Sequence, residues 1–262
     1  MLNSQTGQVV LITGGTRGIG NGVARVFVGA GAAVTVCGRD EAAGEAAAAE
    51  INQPGPGSCR FIRCDVSDTD DNQRLVRLTI ESMGRLDCLV NNAGWHPPYT
   101  TIDDTSVRDF SRLLHLNVTS YFELCKLALP ALRLTSGCII NIGSLVGAIG
   151  QVGACAYTAT KGAIEGLTKA LAIDEALYGV RVNAVLPGVI ETPLYREYLN
   201  AQADPAQAEL DVSRWQWLGR VGKAEEVGHL CLFLAGDGAK FLTGAAIPLS
   251  GGAELGYGTK EY

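Results

Sequence analysis

Gln8-Val9-Val10-Leu11-Ile12-Thr13-Gly14-Gly15-Thr16-Arg17-Gly18-Ile19-Gly20 is the stretch on which the fold turns. It opens as an apolar strand ending at Thr13, and a helix of 3.6-residue period starts at Gly18, with Val23, Val26 and Phe27 on one face. The glycines at 14, 18 and 20 allow a tight turn and a close approach of backbone to a pyrophosphate. Gly18 and Gly20 also open the helix, whose first amides attract an anion. A glycine-rich loop by itself is common, but this one lies between the first strand and the first helix, where the mechanism needs it. Gly14, Arg17, Gly18, Ile19 and Gly20 are therefore expected to cradle the phosphates of a dinucleotide.

Outward from that loop, short apolar runs alternate with helical patterns. Strands are expected over Ala33–Cys37, Arg60–Asp65, Leu86–Asn91, Cys138–Gly143, Val180–Leu186 and Ala245–Leu249. Helices are expected over Asp40–Ile51, Asp70–Met83, Tyr157–Tyr178 and Ala224–Ala235. A longer one is expected from Val107 to Leu134, bent at Pro130. The strands are continuous apolar runs, as in a parallel sheet covered on both faces. This is an α/β pattern with right-handed crossovers and no linker or repeat. Residues 189–217 carry weak patterning after a strand, the usual place for a substrate loop.

The 262 residues are 47% hydrophobic and 18% charged, which excludes disorder and supplies a sizeable core. A net charge of -6 without basic clusters argues against nucleic acid as a partner. The polar N-terminus and the brief run Val9–Ile12 make a secretion signal unexpected, and no apolar stretch is long enough for a membrane span. A cytoplasmic protein follows. The eight cysteines form no CxxC pair and read as free buried thiols, and the three histidines show no metal-ligand spacing.

The end of the second strand discriminates between nicotinamide dinucleotides. An acid there binds the ribose hydroxyls of NAD. This chain has Cys37-Gly38-Arg39-Asp40, so the acid is missing and Arg39 follows. Arg17 and Arg39 together suit a 2′-phosphate, which favours NADP. Asp40 turned inward would restore NAD binding. Asp65-Val66 closes the third strand near the expected adenine, and Asn91, Ala93 and Gly94 close the fourth beside the dinucleotide crevice.

Tyr157 and Lys161 lie four apart on one helix face. A free tyrosine titrates near 10, too high for a base at neutral pH. A neighbouring ammonium and an oxidised nicotinamide each favour tyrosinate. Tyr157 then takes the proton of an alcohol during oxidation and returns it to a carbonyl during reduction. Ser144, at a strand end, donates a hydrogen bond to the substrate oxygen. Asn117, in the long preceding helix, helps hold a water that links Lys161 to solvent. Each of these residues alone is more often a cap or a core group. The ordered set Asn117, Ser144, Tyr157, Lys161 is much rarer.

The glycine-rich loop, Asn91-Asn92-Ala93-Gly94, Ser144, the Tyr157/Lys161 pair, Pro187-Gly188 and Gly251-Gly252 resemble the short-chain dehydrogenase/reductase family over nearly the whole chain. The resemblance implies one Rossmann-type domain over residues 1–262, a doubly wound seven-stranded sheet in the order 3-2-1-4-5-6-7, and a homotetramer built around the helices of Asn117 and Tyr157. It implies that Pro187 and Gly188 border the cofactor, and that Thr192 and the backbone of Ile190 touch the nicotinamide carboxamide. Tyr157 and Lys161 then also border the cofactor. His96-Pro97-Pro98, Ser144 to Gln151 and Gly251 to Gly258 further resemble a branch of the family that oxidises the C17 hydroxyl of steroids with NAD and includes L-fucose oxidation. That implies a substrate pocket of His96, Ser144, Gln151, Tyr157, Tyr195 and Tyr257, the last in a tail over 253–262 that reaches a neighbouring subunit. Gly38, Trp95 and Tyr195 depart from the branch, where an acid, a histidine and a tryptophan would stand.

The expectation is thus an NAD(P)-dependent enzyme moving hydride between a nicotinamide and a small secondary alcohol or ketone, with a 17β-hydroxysteroid and a sugar such as L-fucose both open. A non-catalytic dinucleotide-binding regulator and a 3-oxoacyl carrier-protein reductase are the competing classes. Trp215 and Trp217 either close over the substrate or anchor their loop.

Overall fold

A computed structural model describes residues 5–52 and 55–255. Tyr257 and most of the expected C-terminal tail lie outside the described residues. Strands β1 (Val9–Thr13), β2 (Ala33–Gly38), β3 (Ser58–Arg63), β4 (Cys88–Asn91), β5 (Cys138–Ile142) and β6 (Arg181–Pro187) join β9 (Ala246–Leu249) in one sheet. Its order is β3-β2-β1-β4-β5-β6-β9, and every pairing is parallel. This is the expected seven-stranded Rossmann-type sheet in a single domain. Successive strand residues feed opposite faces. Val10 and Ile12 join the core beneath α1 (Gly18–Gly29), α2 (Glu41–Ile51) and α10 (Ala224–Ala235). Val9 and Leu11 join the core beneath α3 (Thr69–Met83), α5 (Ser120–Thr135) and α7 (Cys155–Glu175). Burial on both faces explains the unbroken apolar runs.

The sheet reverses its winding between β1 and β4, which opens a crevice at the carboxyl ends of the strands. Local chemistry fixes the helices that border it. Asp40 caps α2 by accepting from the Ala43 amide, and Asp68 caps α3 by accepting from the Asp71 amide. The start of α1 has no side-chain cap and no acidic residue in its first turn.

Two expectations need correction. The single helix from Val107 to Leu134 is α4 (Val107–Leu114), a π-helical turn at His115–Thr119, and α5. The irregularity centres on Asn117, while Pro130 sits inside α5. Widened turns of this kind recur at functional sites. Residues 189–217 are not a weakly structured loop. They hold β7 (Ile190–Glu191), α8 (Pro193–Asn200) and α9 (Pro205–Ser213), and β7 pairs with β8 (Gly222–Lys223). Thr192 and Asp204 cap the two helices, each followed by proline at the first helical position. Between α7 and the end of β5 lies the short helix α6 (Val146–Ile149).

Candidate active site

The glycine-rich loop is held against β2 and β4 so closely that side chains have no room. Gly18 adopts φ 56°, which only glycine takes without strain. A β-carbon on Gly20 would lie 2.3 Å from the Gly14 carbonyl oxygen and 2.5 Å from the Asn92 amide nitrogen. Asn92 donates to the carbonyls of Thr13 and Gly14 at 2.8 and 3.1 Å, tying the end of β4 to the loop. The Asn92 and Ala93 amides both donate to Thr13 Oγ1, at 2.9 and 3.0 Å. An uncapped helix start behind a bare glycine loop is a cradle for a phosphate. These residues fit a dinucleotide.

At the ribose end, Asp40 Oδ1 accepts from the Ala43 amide at 3.0 Å and so caps α2. Arg17 and Arg39 are exposed. Asp65 accepts from the Ser67 amide at 3.0 Å and the Ser67 hydroxyl at 2.7 Å. Burial works against its charge, but these hydrogen bonds and nearby Arg39 outweigh it and hold the carboxyl below its usual value. Val66 is buried beside it. Asn91 is fully buried. Its amide donates to Asn141 at 3.0 Å, and Asn141 donates to Thr168 at 2.9 Å, an internal ladder across β4, β5 and α7.

Tyr157 and Lys161 face β5 from α7, as the four-residue spacing requires. Lys161 is almost wholly buried and donates from Nζ to the Ile142 carbonyl at 2.9 Å. Its Nζ lies 5.7 Å from the ring centres of both Tyr157 and Tyr121. Ser144 follows the end of β5, and its Oγ accepts from the Val146 amide at 3.4 Å. Its loop is anchored by the Leu145 amide donating to the Pro187 carbonyl at 3.0 Å. A β-carbon on Gly147 would lie 2.8 Å from the Lys161 backbone, so glycine lets α6 rest directly on α7. Asn117 is fully buried. It donates to the Trp95 carbonyl at 3.0 Å and Thr160 Oγ1 at 3.2 Å, and accepts from the Trp95 amide at 3.0 Å. Its side chain thus clamps the loop after β4 to α7.

Burial pushes Tyr157 up to about 12, against the lowering effect of its Ser144 hydrogen bond. Burial pushes Lys161 down to about 8. For these two groups alone, burial favours neutral tyrosine, because losing water disfavours each charged form.

Beside Tyr157 the chain brings together two residues far apart in sequence. The His96 ring centre lies 4.2 Å from that of Tyr157, tilted by 48°. His96 Nε2 lies 3.3 Å from Gln151 Oε1, and Nδ1 lies 2.6 Å from the Pro97 carbonyl. Glycine makes this possible: the Thr100 amide donates to the Gly153 carbonyl at 2.9 Å, and a β-carbon on Gly153 would lie 2.2 Å from the Tyr99 ring.

Tyr195 is placed differently. It is buried with Leu199 and Val212 in a small core between α8 and α9, its hydroxyl without a hydrogen-bond partner. Burial, aided by Glu209, raises its pKa. Thr192 Oγ1 accepts from the Tyr195 amide at 3.2 Å, and its methyl lies 3.5 Å from where a Gly18 β-carbon would be. Thr192 therefore sits against the phosphate loop. Pro187 and Ile190 are buried, and Gly188 donates to the Leu249 carbonyl at 3.0 Å. Trp217 donates its indole N–H to the Leu255 carbonyl, an anchoring contact. Asn92 and Thr160 are the site residues that the sequence reading left out.

Among the described residues no three His, Cys, Asp or Glu side chains are grouped to hold a metal, and no helix is long and apolar enough to cross a membrane. The eight cysteines are free, seven of them buried.

This geometry has close parallels. A family model described as Enoyl-(Acyl carrier protein) reductase matches residues 14–254. An L-fucose dehydrogenase of Bos taurus is 50% identical over 254 residues, 97% of this chain and 92% of the relative. A meso-2,3-butanediol dehydrogenase of Serratia marcescens is 35% identical over 94% of each chain. The solved structure of the Pseudomonas aeruginosa RhlG/NADP active-site complex superposes with a TM-score of 0.89 at 34% identity, covering 97% of this chain and 99% of that one. The chain belongs to the short-chain dehydrogenase/reductase family. It is an NAD(P)-dependent alcohol dehydrogenase of that type, acting on a small molecule.

Proposed function

We propose that this protein oxidises a hydroxyl-bearing carbon of a small sugar of the L-fucose kind, in the cytoplasm, with NADP preferred over NAD. The observation that carries the sugar reading is the polar cluster beside Tyr157: His96 tilted against its ring and Gln151 on the far nitrogen of His96. A site built to bond several hydroxyls rejects analogues that lack them, because its own polar groups are then left unpaired. The L-fucose dehydrogenases among the relatives support the same reading. A steroid is the second reading, favoured by the exposed aromatic rings of Trp95, Tyr99 and Trp215.

The dinucleotide, when bound in its oxidised form, accepts the hydride and adds a positive charge that favours tyrosinate. The chain's own residues do the rest. Tyr157 takes the proton of the substrate hydroxyl, and Ser144 donates to the substrate oxygen. Lys161 holds positive charge near Tyr157 while its hydrogen bond to Ile142 fixes its place. Asn117 positions the Trp95–His96 loop and α7 relative to one another. In the reducing direction neutral Tyr157 is already a competent acid at pH 7. Gly14, Gly18, Ile19 and Gly20 take the pyrophosphate, Arg17 and Arg39 a 2′-phosphate, Asp65 and Val66 the adenine, and Ile190 and Thr192 the carboxamide end. Arginine forks suit a phosphate dianion, and the RhlG neighbour was solved with NADP. A homotetramer is supported by exposed Phe122 and Leu134 on α5 and Ile173 on α7, apolar side chains that a helical interface would cover.

The test is Tyr157→Phe. It keeps the ring and its contact with His96 but removes the proton carrier. Turnover should fall by about 10³-fold or more, with NADPH affinity within about threefold of wild type. Substantial residual turnover would remove Tyr157 from the proton path.

A further inference from the structure

We infer that Thr16 and Gly38 act as one unit in choosing the dinucleotide, with Thr16 filling the space that an acidic side chain at position 38 would need. The inference rests on the reading that this crevice holds the adenosine ribose. Gly38 closes β2 with no positive φ, so its backbone accepts any residue. The obstacle is steric. A β-carbon on Gly38 would lie 3.0 Å from Thr16 Cγ2 and 3.2 Å from Thr16 Oγ1, both closer than ordinary contact. Both branches of the threonine face Gly38. Rotation about χ1 moves substituents between three staggered places. Two of those places face Gly38, so every rotamer leaves at least one heavy branch there.

Nor can the loop withdraw. The Gly15 amide donates to the Cys37 carbonyl at 3.2 Å, and a β-carbon on Gly15 would lie 2.5 Å from Val36 Cγ1. The residue beside Thr16 is thus bonded and pressed onto β2. Gly38 alone therefore does not explain the absence of an acid. Thr16, inside the phosphate loop, keeps position 38 small, and the small residue keeps negative charge away from the ground that Arg17 and Arg39 flank. Introducing the acid without removing the threonine would force the carboxylate out of line or push the loop off β2.

Dissociation constants for NADPH and NADH, measured by fluorescence titration without substrate, test this in wild type, Thr16→Gly, Gly38→Asp and the double variant. Wild type should hold NADPH at least about tenfold more tightly than NADH. Gly38→Asp should lose most NADPH affinity yet gain less than about threefold for NADH. The double variant should bind NADH about tenfold more tightly than Gly38→Asp does. These ratios are non-additive, as expected for residues in contact. Equal NADH affinity in the single and double variants would overturn the coupling, and so would a full switch to NADH by Gly38→Asp alone. Wild type preferring NADH would instead defeat the NADP reading and leave the coupling to be judged from the variants. Gly38→Ala covers the case in which the aspartate variant does not fold. Its added methyl should weaken NADPH binding with Thr16 present and recover it with Thr16→Gly, and equal affinity in both backgrounds would overturn the inference.

Discussion

At the catalytic corner, polar side chains are tied to a framework that is itself buried. Lys161 bonds a strand carbonyl, Asn117 clamps a loop to a helix, and Asn91, Asn141 and Thr168 form a closed ladder behind them. The segment 189–217, by contrast, rests on a satellite core of three buried residues, Tyr195, Leu199 and Val212. Its helices expose Leu194, Tyr198 and Leu210, and its linking turn exposes Trp215. The difference separates two tasks. Proton transfer needs groups held to a fraction of an ångström. Admitting and releasing a small molecule suits elements with few buried contacts, which open and repack at low cost.

Variants can break or sharpen that contrast. Lys161→Met should have the largest effect, lowering turnover by about 100-fold or more. It also carries a pH signature. Burial makes Lys161 bind its proton less tightly when folded, at about 8 against an ordinary 10.5. Between these values the unfolded chain holds more protons, so stability should rise with pH there, by up to about 3 kcal/mol. Melting temperatures from pH 7.5 to 9.5 should show a rise in wild type that is reduced in Lys161→Met. Parallel curves would mean that Lys161 titrates normally. Tyr157 opposes this rise only above pH 10, since its folded value of about 12 exceeds the ordinary 10.0.

Gln151→Ala comes next. Losing one bonding group should raise KM for the sugar about tenfold with kcat nearly unchanged. An unchanged KM would reduce Gln151 to a support for His96. Tyr195→Phe should do least. Its hydroxyl is buried without a partner, so removal should shift stability by no more than about 0.5 kcal/mol and leave KM alone. A KM rise of tenfold would return Tyr195 to the substrate pocket.

Much of this was legible in the sequence. The sheet was readable because its strands are continuous apolar runs, and Tyr157, Lys161 and Ser144 because helix spacing and a strand end are local features. Asn92 and Thr16 were not, because what matters is which residues lie opposite them across strands distant in sequence. The two helices over 189–217 announced themselves through Thr192-Pro193 and Asp204-Pro205, cap signals that weak hydrophobic periodicity obscured. The bond of Asn91 to Asn141 was not readable either, because it pairs side chains across neighbouring strands. The raised pKa of Tyr157 depends on burial that spacing alone does not reveal.

Initial rates of cofactor reduction with L-fucose and with estradiol, each with NADP and NAD, test the central claim most directly. The account predicts turnover of L-fucose, faster with NADP than with NAD, and little or none of estradiol. Turnover of estradiol alone would contradict it, making His96 and Gln151 orienting groups in a steroid pocket. Faster turnover with NAD would contradict the reading of Gly38, Arg17 and Arg39.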